Sequence, residues 1–495
     1  MLLRKIRLTL AILFWVLITW LLVDFTGTAH TYLGWMAKIQ FLPALLASNL
    51  VIVAVLLVLS LFLGRIYCSV ICPLGVMQDA IAWFRKKKHK YSYSPAKNWL
   101  RYTLLVLFVV LWAIPVTHFV ATLLAPYSTY GRIVASVLAP LYKLGNNALA
   151  QLAERQGSYA MYGVDVWLKS GLTLVLSLVV WAIIAILAWR GGRTWCNTLC
   201  PVGSLLSLVS RFSVFGPVVD EEKCNKCGLC ARNCKASCID SKNGKVDMSR
   251  CVMCGNCMET CTKNAMHLAP RPLKAICGKS TKVHTQDEGR RAMLTGTALL
   301  AGTALLRAQE KTTDGGYAVI EKKQIPQRQH KIVPPGSVSV ANMHVNCTTC
   351  QLCVSACPND VLRPSSDLSR LMQPEVSYER GYCRPECNRC SQVCPTGAIK
   401  PIKVEDRTAI QVGHAVWIKD NCVVLRDGVS CGLCARKCPA EAIQMVPLDE
   451  SNPKGPQIPV VNEEKCIGCG ACENLCPSRP LSAIYVEGHE VHKEI

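Results

Sequence analysis

The sequence has few acidic and few aromatic residues. Asp and Glu number 33 against 55 Lys and Arg, a formal net charge of +22, and Phe, Trp and Tyr make up 7% of the chain. It contains no glycine-rich Rossmann fingerprint and no P-loop after a strand, so nicotinamide chemistry and ATP-driven transport have no support. No pair of histidines lies within its long apolar runs, so the sequence does not favour a bis-histidine haem.

The shortage of acidic residues is confined to the first part of the chain. Residues 1–291 carry 33 Lys and Arg against 12 Asp and Glu, whereas residues 292–495 carry 22 against 21. Nucleic-acid binding is a common explanation of a basic chain. Here the positive-inside rule explains the asymmetry better, because Lys and Arg gather on the cytoplasmic side of membrane spans. We therefore predict a membrane protein with no nucleic-acid partner.

Four apolar runs approach the roughly 20 residues that a helix needs to cross a bilayer. They are Leu8–Val23, Phe41–Leu63, Tyr102–Val120 and Gly171–Trp189. Basic residues precede the first run, separate the second from the third, and follow the fourth, which predicts four spans with both ends in the cytoplasm. A signal peptide is the alternative for the first run.

A twin arginine, Arg290-Arg291, precedes a fifth apolar run, Ala292–Leu306. Such a pair ahead of a modest apolar run is typical of an export signal for folded proteins. We therefore predict a fifth crossing, at a signal or anchor helix, with everything after it outside. A short hydrophobic helix beside two ordinary basic residues is the alternative.

Cysteine is abundant, at 30 residues. A disulfide scaffold is excluded because the cysteines fall in tight, repeated runs of metal-ligand spacing. Two runs have the spacing C-x2-C-x2-C-x3-C, the bacterial [4Fe–4S] pattern in which the fourth cysteine serves the other cluster. We therefore expect one cluster on Cys224, Cys227, Cys230 and Cys261 and another on Cys251, Cys254, Cys257 and Cys234. Zinc is the alternative, which two complete runs in tandem disfavour.

Four more runs lie in the C-terminal part, and each ends in Cys-Pro. The first and last are regular, the second opens with an extra residue and the third with a long gap. Their members are Cys347, Cys350, Cys353, Cys357; Cys383, Cys387, Cys390, Cys394; Cys422, Cys431, Cys434, Cys438; and Cys466, Cys469, Cys472, Cys476. These cysteines predict four more [4Fe–4S] clusters, six in all.

Two further pairs, Cys68 with Cys72 and Cys196 with Cys200, have the pattern C-x3-C-P and follow the second and fourth apolar runs. Both pairs are predicted on the cytoplasmic face, where four thiolates could hold a seventh metal centre. The alternative is a structural or redox-active thiol motif without metal. Cys238 and Cys277 are left over as free thiols.

These patterns predict a membrane α-helical fold, with four transmembrane helices plus the twin-arginine helix, and two α+β ferredoxin-like domains. The predicted segments are a membrane domain at 1–218, a two-cluster cytoplasmic domain at 219–269, a linker and signal helix at 270–309, a polar linker at 310–339 and an exported four-cluster domain at 340–495.

Residues 1–270 resemble the NapH-type membrane ferredoxins, and residues 285–487 resemble the NapG/MauM-type ferredoxins with their twin-arginine signal. The chain looks like a fusion of the two. The resemblance implies an inner-membrane quinol dehydrogenase that takes electrons from the quinone pool and feeds a periplasmic reductase or cytochrome, as in nitrate reduction. It is an electron-transfer subunit rather than a stand-alone catalyst. The resemblance also implies nested cluster pairing in the C-terminal part, the first run with the fourth and the second with the third; spacing alone leaves sequential pairing open.

Quinol oxidation needs a site that takes protons as well as electrons. Ionisable residues near spans are the candidates, and those expected on the outer side are Asp24, His30, His118, Tyr127, Tyr130 and Arg132. Two other functions stay open. One is an assembly or redox-regulatory factor that handles copper through its C-x3-C-P pairs, and the other is a polyferredoxin held wholly in the cytoplasm.

Overall fold

A computed structural model of the chain describes residues 2–85, 91–114, 117–271, 313–314, 318–319, 321–453 and 455–495. The twin arginine, the apolar run Ala292–Leu306 and Cys277 lie outside these ranges.

The N-terminal part is helical up to Ser210. Its α-helices are α1 Leu2–Val23, α2 Thr28–Leu33, α3 Trp35–Lys38, α4 Phe41–Leu46, α5 Leu50–Leu63, α6 Tyr67–Val70, α7 Pro73–Phe84, α8 Asn98–Ala113, α9 His118–Leu124, α10 Pro126–Ile133, α11 Ala139–Arg155, α12 Gly171–Gly191, α13 Thr194–Thr198 and α14 Pro201–Ser210. A π-helical turn, Val134–Leu138, joins α10 to α11.

The prediction of four transmembrane helices plus a fifth is wrong. Among the described helices, two are long and apolar enough to cross a membrane, Leu3–Val23 and Gly171–Gly191, with mean hydropathies of 2.3 and 2.7. The predicted fifth helix falls on residues that the structure does not describe.

Local backbone breaks shorten the other two runs. In the second, Ser48 takes a left-handed φ of 54°, and the Asn49 side chain accepts a hydrogen bond from the Ile52 amide at 3.3 Å, which starts a new helix. The resulting α5 has 14 residues, or about 21 Å, against a hydrocarbon core of about 30 Å. In the third run, α8 ends after 16 residues because Ile114 turns to an extended conformation.

The part that follows is a small α+β unit. Its elements are β1 Phe215–Val219, α15 Leu229–Arg232, β2 Ile239–Asp240, β3 Lys245–Val246, α16 Asn256–Thr260 and β4 Met266–Pro270. The outer strands β1 and β4 pair antiparallel, and so do the inner strands β2 and β3. Each short helix follows a cysteine loop. Along the chain, each loop therefore lies between an outer strand and an inner strand.

The C-terminal part holds two units of this kind, of which the second has both an outer and an inner strand pair and the first has one strand pair between its two cysteine loops. Its elements are β5 Thr313–Asp314, β6 Ala318–Val319, α17 Val340–Asn346, α18 Leu352–Ala356, β7 Leu362–Pro364, β8 Pro374–Val376, α19 Arg389–Val393, β9 Ile410–Trp417, α20 Val423–Arg426, α21 Leu433–Arg436, β10 Ile443–Pro447, β11 Gln457–Val461, α22 Ala471–Leu475 and β12 Ile484–Glu494, with 3-10 turns Leu368–Arg370, Glu405–Arg407 and Lys419–Asn421. The antiparallel pairs are β5 with β6, β7 with β8, β9 with β12 and β10 with β11.

Helix α1 contacts a different cysteine-rich part at each end. Near its start, Arg4 forms an ion pair with Glu259 in α16. Just beyond its other end, the Thr26 carbonyl accepts a hydrogen bond at 3.3 Å from Arg389 in α19. With 22 residues, α1 is about 33 Å long, so these two contacts are separated by about that distance.

Helix α12 repeats this arrangement in the opposite direction. Before its start, Lys169 pairs with Asp360 of the C-terminal part at 3.4 Å. After its end, the Arg193 amide donates to the Lys235 carbonyl of the two-cluster part at 2.9 Å. The two apolar helices are therefore antiparallel, with the same cysteine-rich part at the same end of both.

Candidate iron–sulfur centres

The four regular cysteine runs share one loop conformation. In each, the residue before the second cysteine and the residue after it both have positive φ, as in Lys226 with Gly228 (54° and 71°) and Thr349 with Gln351 (57° and 64°). Two left-handed residues so close together turn the chain around a point. The third cysteine then lies in a short helix that the fourth cysteine ends. The spacing therefore sets the direction of all four thiols.

In the two-cluster part, the predicted ligands line two separate cavities. One, with about 420 Å³ of empty space, is lined by Cys251, Cys254, Cys257 and Cys234. The other, with about 520 Å³, is lined by Cys224, Cys227, Cys230 and Cys261. These are the groups that the ferredoxin pattern predicts, each with its fourth thiol from the other run.

Cys238, predicted as a free thiol, lines the first of these cavities. Its sulfur is 3.5 Å from that of Cys234, and it is buried. Spacing did not predict this position, because Cys238 lies outside the repeated runs.

In the C-terminal part, the cysteines group by neighbouring runs. A cavity of about 470 Å³ is lined by Cys383, Cys387 and Cys390 together with Cys357 from the first run. Conversely, Cys394 is among the charged groups that raise the pKa of Cys350 to about 11, after burial. The nested pairing implied by the resemblance is therefore wrong for the second run, and runs one and two share their thiols.

The third and fourth runs form the other unit. Burial raises the pKa of Cys469 to about 12, with Cys438 as the nearest thiol that adds to the rise. Burial likewise raises the pKa of Cys434 to about 11, with Cys431 and Cys476 as neighbouring thiols. Each unit thus exchanges its fourth cysteines internally, as the two-cluster part does.

The thiol arrangement fits a cubane cluster better than a single ion. Among the described residues, no three His, Cys, Asp or Glu side chains converge closely enough to hold one metal ion. A [4Fe–4S] cluster has one thiolate on each of four irons, so its thiols surround a space rather than a point. Backbone amides also donate to the fourth cysteines, from Ile399 to Cys394 at 3.4 Å and from Ala483 to Cys476 at 3.3 Å. Such donors stabilise thiolates.

The two C-x3-C-P pairs meet in one buried site. Cys68, Cys72, Cys196 and Cys200 are each 4% exposed. Burial raises the pKa of both Cys72 and Cys200 above the ordinary range, and the thiols of Cys68 and Cys196 raise it further. The four cysteines that the sequence singled out are therefore close neighbours, although they come from two distant segments.

Two buried arginines link these segments reciprocally. Arg65 donates to the Cys196 carbonyl at 2.8 Å, and Arg193 donates to the Cys68 carbonyl at 2.6 Å. Each guanidinium also lies 3.9 Å from the thiol of its own motif. The motif Arg-x2-Cys-x3-Cys-Pro-x-Gly occurs in both segments, and this repeat explains the near-twofold symmetry. Our sequence analysis missed the arginines, although the repeat was visible.

Asp79 anchors this site to its surroundings. It accepts from Arg193 at 2.8 Å and pairs with Arg7 of α1 at 3.5 Å and Lys235 of the two-cluster part at 3.4 Å. Burial alone would raise the pKa of Asp79, but Arg193 and Lys235 hold it below its usual range. The site therefore joins helix α1 to the two-cluster part.

Family models match the helical part and the C-terminal part. One described as a 4Fe-4S binding domain matches residues 45–91 and 173–216, the segments that hold the C-x3-C-P pairs. Another, described as a 4Fe-4S dicluster domain, matches residues 346–398 and 429–479, which are the two C-terminal units.

The methylamine utilization ferredoxin-type protein MauM of Methylobacillus flagellatus is 36% identical over 168 residues, which cover 32% of this chain and 70% of that protein. The chain belongs to the MauM family of ferredoxin-type proteins. The ferredoxin-type protein NapG of Escherichia coli is 31% identical over 155 residues, 30% of this chain and 66% of NapG. NapF of the same organism is 29% identical over 158 residues, 32% of this chain and 87% of NapF. No solved structure matches.

In this MauM-family chain, two of the candidates for the quinol site, Asp24 and His30, lie in one turn just after α1. Asp24 is buried and accepts hydrogen bonds from the amides of Thr26, Gly27 and Ala29 at 2.8 to 3.0 Å. His30 lies 3.4 Å from the same carboxylate. Through these contacts, Asp24 stabilises the turn that follows α1.

The other four candidates lie between the helical part and the C-terminal part or beside α1. Tyr130 shares a hydrogen bond of 2.6 Å with Thr19 of α1. His118 is buried, and its ring centre is 5.5 Å from that of His344. Tyr127 and Arg132 in α10 are buried against the first C-terminal cysteine loop.

Proposed function

We propose that the chain is a membrane-bound electron carrier that oxidises quinol and delivers the electrons to a periplasmic reductase of the nitrate-reductase type. The observation that carries this proposal is the placement of the two cysteine-rich parts at opposite ends of α1 and α12. Two antiparallel apolar helices with iron–sulfur ligands at both ends suit a protein that works on both faces of a membrane.

In this proposal the 24 ferredoxin cysteines hold six clusters, which supply one-electron transfer when bound. The chain's own residues bury or partly bury the thiols other than the exposed Cys227. The left-handed loops orient the thiols, and backbone amides donate hydrogen bonds to Cys394 and Cys476. The two-cluster part lies in the cytoplasm and the C-terminal part in the periplasm. Arg290 and Arg291 direct the export of the C-terminal part as a folded domain.

Cys68, Cys72, Cys196 and Cys200 are proposed as the ligands of a seventh centre. Arg65 is buried and donates hydrogen bonds to uncharged oxygens of Asn197, Ser249 and Cys196, so four thiolates would give it a negative counterpart. Arg193 already pairs with Asp79. The match of both segments to a 4Fe-4S binding domain supports an iron–sulfur centre rather than copper. This weighs against the assembly-factor alternative.

The test uses the full-length protein, loaded anaerobically and reconstituted in liposomes. Quinol added to the vesicles should bleach the cluster absorbance, and iron analysis should give about 24 irons per chain from six clusters, or about 28 with the seventh centre. A change of Cys68 to Ser should lower the iron content by about four and slow quinol-driven bleaching. A fully loaded parent that dithionite reduces but quinol does not would contradict the proposal.

A further inference from the structure

Helix α10 of the helical part is seated directly on the first C-terminal cysteine loop. The backbone of Gly131 approaches the Cys350 carbonyl so closely that a β-carbon at position 131 would lie 2.3 Å from the oxygen. Only glycine permits this approach. Because Cys350 is the second cysteine of the loop, α10 lies against the backbone that would wrap the cluster.

The next residue, Arg132, points into the same loop. Its side chain is buried, and it donates to the Thr349 hydroxyl at 2.5 Å, to the Thr122 carbonyl at 3.0 Å and to the Thr129 hydroxyl at 3.1 Å. All three acceptors are uncharged. The groups that could carry negative charge near Arg132 are the thiols of Cys350 and Cys347.

A buried cation is costly unless an anion accompanies it. A cubane held by four thiolates is anionic and becomes more so on reduction. Cys347, Cys350, Cys353 and Cys394 group as the ligands of one cluster, since Cys394 is next to both Cys350 and Cys347. None of the hydrogen-bond acceptors of Arg132 is negatively charged. The cluster would therefore supply the negative charge that accompanies this buried cation.

Tyr127, five residues earlier in α10, supports the same conclusion. Its side chain is 2% exposed, and its hydroxyl has no hydrogen-bond partner among the described residues. Burial raises the pKa of Tyr127, and the charges of Cys350 and Cys394, which belong to the same group of four, raise it further. Two polar side chains of α10 therefore face one predicted cluster and no other.

We propose that Arg132 raises the reduction potential of the cluster held by Cys347, Cys350, Cys353 and Cys394. This follows because a fixed cation favours the more negative, reduced form of a neighbouring group. The presence of that cluster rests on the proposed function. Arg132 is a positioning residue on a different part of the chain, so its effect depends on docking of the C-terminal part.

The experiment is a potentiometric titration of the full-length, cluster-loaded protein, followed by electron paramagnetic resonance with dithionite and mediators. Arg132→Met should move one component to lower potential and leave the others in place. Arg132→Lys, which keeps the charge, should move it less. The matched control is Arg407→Met, because buried Arg407 donates at 3.3 Å to Cys383 of the neighbouring group. It should move a different component, and the double variant should move both.

Unchanged potentials in Arg132→Met would overturn the proposal, as would a shift of the same component in both single variants. If Arg132→Met loses its iron, Arg132→Gln supplies the answer, because it removes the charge and keeps a donor for the Thr349 hydroxyl. The same component should move to lower potential, and an unchanged potential in a loaded Arg132→Gln would also refute the tuning role. The titration contains no quinol, so a failure of quinol oxidation in the parent would not alter its outcome.

Discussion

At the residue scale, one very close contact recurs where each C-x3-C-P motif turns back on itself. A β-carbon at Gly75 would lie 2.2 Å from the Cys68 carbonyl and 2.6 Å from the Arg193 guanidinium, and Gly203 has matching contacts with Cys196 and Arg65. Both glycines are in helices, so the limit is space rather than backbone conformation. The two motifs therefore share a geometry that requires glycine, because a β-carbon at either position would clash.

We predict that Gly75→Ala destabilises the thiol site. The displaced atom is a backbone oxygen, which cannot move aside cheaply, so the cost should be about 1–3 kcal/mol. Thermal unfolding in detergent and maleimide labelling of the buried cysteines would measure it. The matched control is Gly145→Ala, where nothing lies within 4 Å and the better helix propensity of Ala should be neutral or slightly stabilising. Equal behaviour of the two variants would disprove the reciprocal packing.

His118 should make the contact between the helical and C-terminal parts sensitive to acid. Its ring is 4.4 Å from that of Trp112, and burial together with His344 lowers the pKa of His118 to about 4. An unfolded histidine has a pKa of about 6.5, so between these values the unfolded chain binds more protons. Stability is therefore fully present above about pH 6.5 and declines as the pH falls towards 4, by on the order of 1–3 kcal/mol.

We predict that His118→Leu reduces the difference between the unfolding midpoints at pH 7.5 and pH 5. Replacing the exposed His267 by Leu should leave that difference as in the parent. A parent whose midpoint is the same at both pH values would rule out a neutral, buried His118.

At the element scale, the cysteine loops were predictable, and the two helix breaks were signalled less clearly. Spacing alone indicated the loops because three nearby thiols on one cubane leave the backbone few conformations. Pro115 directly after Ile114 disfavours helix at Ile114, and the only signal at Ser48 is the polar pair Ser48-Asn49 inside an apolar run. Hydropathy therefore overestimated the number of spans.

Sequential pairing of the C-terminal runs gives a test by double substitution. If Cys357 and Cys387 bind one cluster, Cys357→Ser together with Cys387→Ser should lose about four irons, the content of one cluster. Cys357→Ser with Cys469→Ser should lose about eight, because these residues belong to different units. Anaerobic iron and sulfide analysis distinguishes the cases. Nested pairing requires the reverse, with the smaller loss in the variant that changes Cys469.

At the scale of the whole molecule, the sequence indicated that the two cysteine-rich parts differ in location, but it could not indicate how they dock. Arg132 and Arg389 look like ordinary basic residues in the printed chain. Their roles emerge only in the folded chain, where Arg132 of α10 meets Thr349 in the first C-terminal cysteine loop and Arg389 of α19 meets Thr26 after α1. Contacts between segments so far apart in sequence leave no periodic pattern in either one.

The last prediction concerns how the C-terminal part reaches this docked position. Thiolate-bound clusters are inserted in a reducing compartment, and a domain that folds around them must then be exported folded. Arg290→Lys together with Arg291→Lys keeps the charge, so the positive-inside bias is unchanged, while recognition of the arginine pair is lost. We expect the C-terminal part to remain in the cytoplasm while the helical part still enters the membrane.

Protease added to the outer face should digest the C-terminal part in the parent and spare it in the double variant. Arg307→Lys, on the other flank of the apolar run, is the matched control and should behave as the parent. The retained domain could no longer place Arg389 against Thr26 or Asp360 against Lys169. Added protease should therefore also reach the chain around Thr26 and Lys169 more readily in the double variant. Protection of the C-terminal part in the parent as well would mean that it lies in the cytoplasm, and the two-sided arrangement would have to be abandoned.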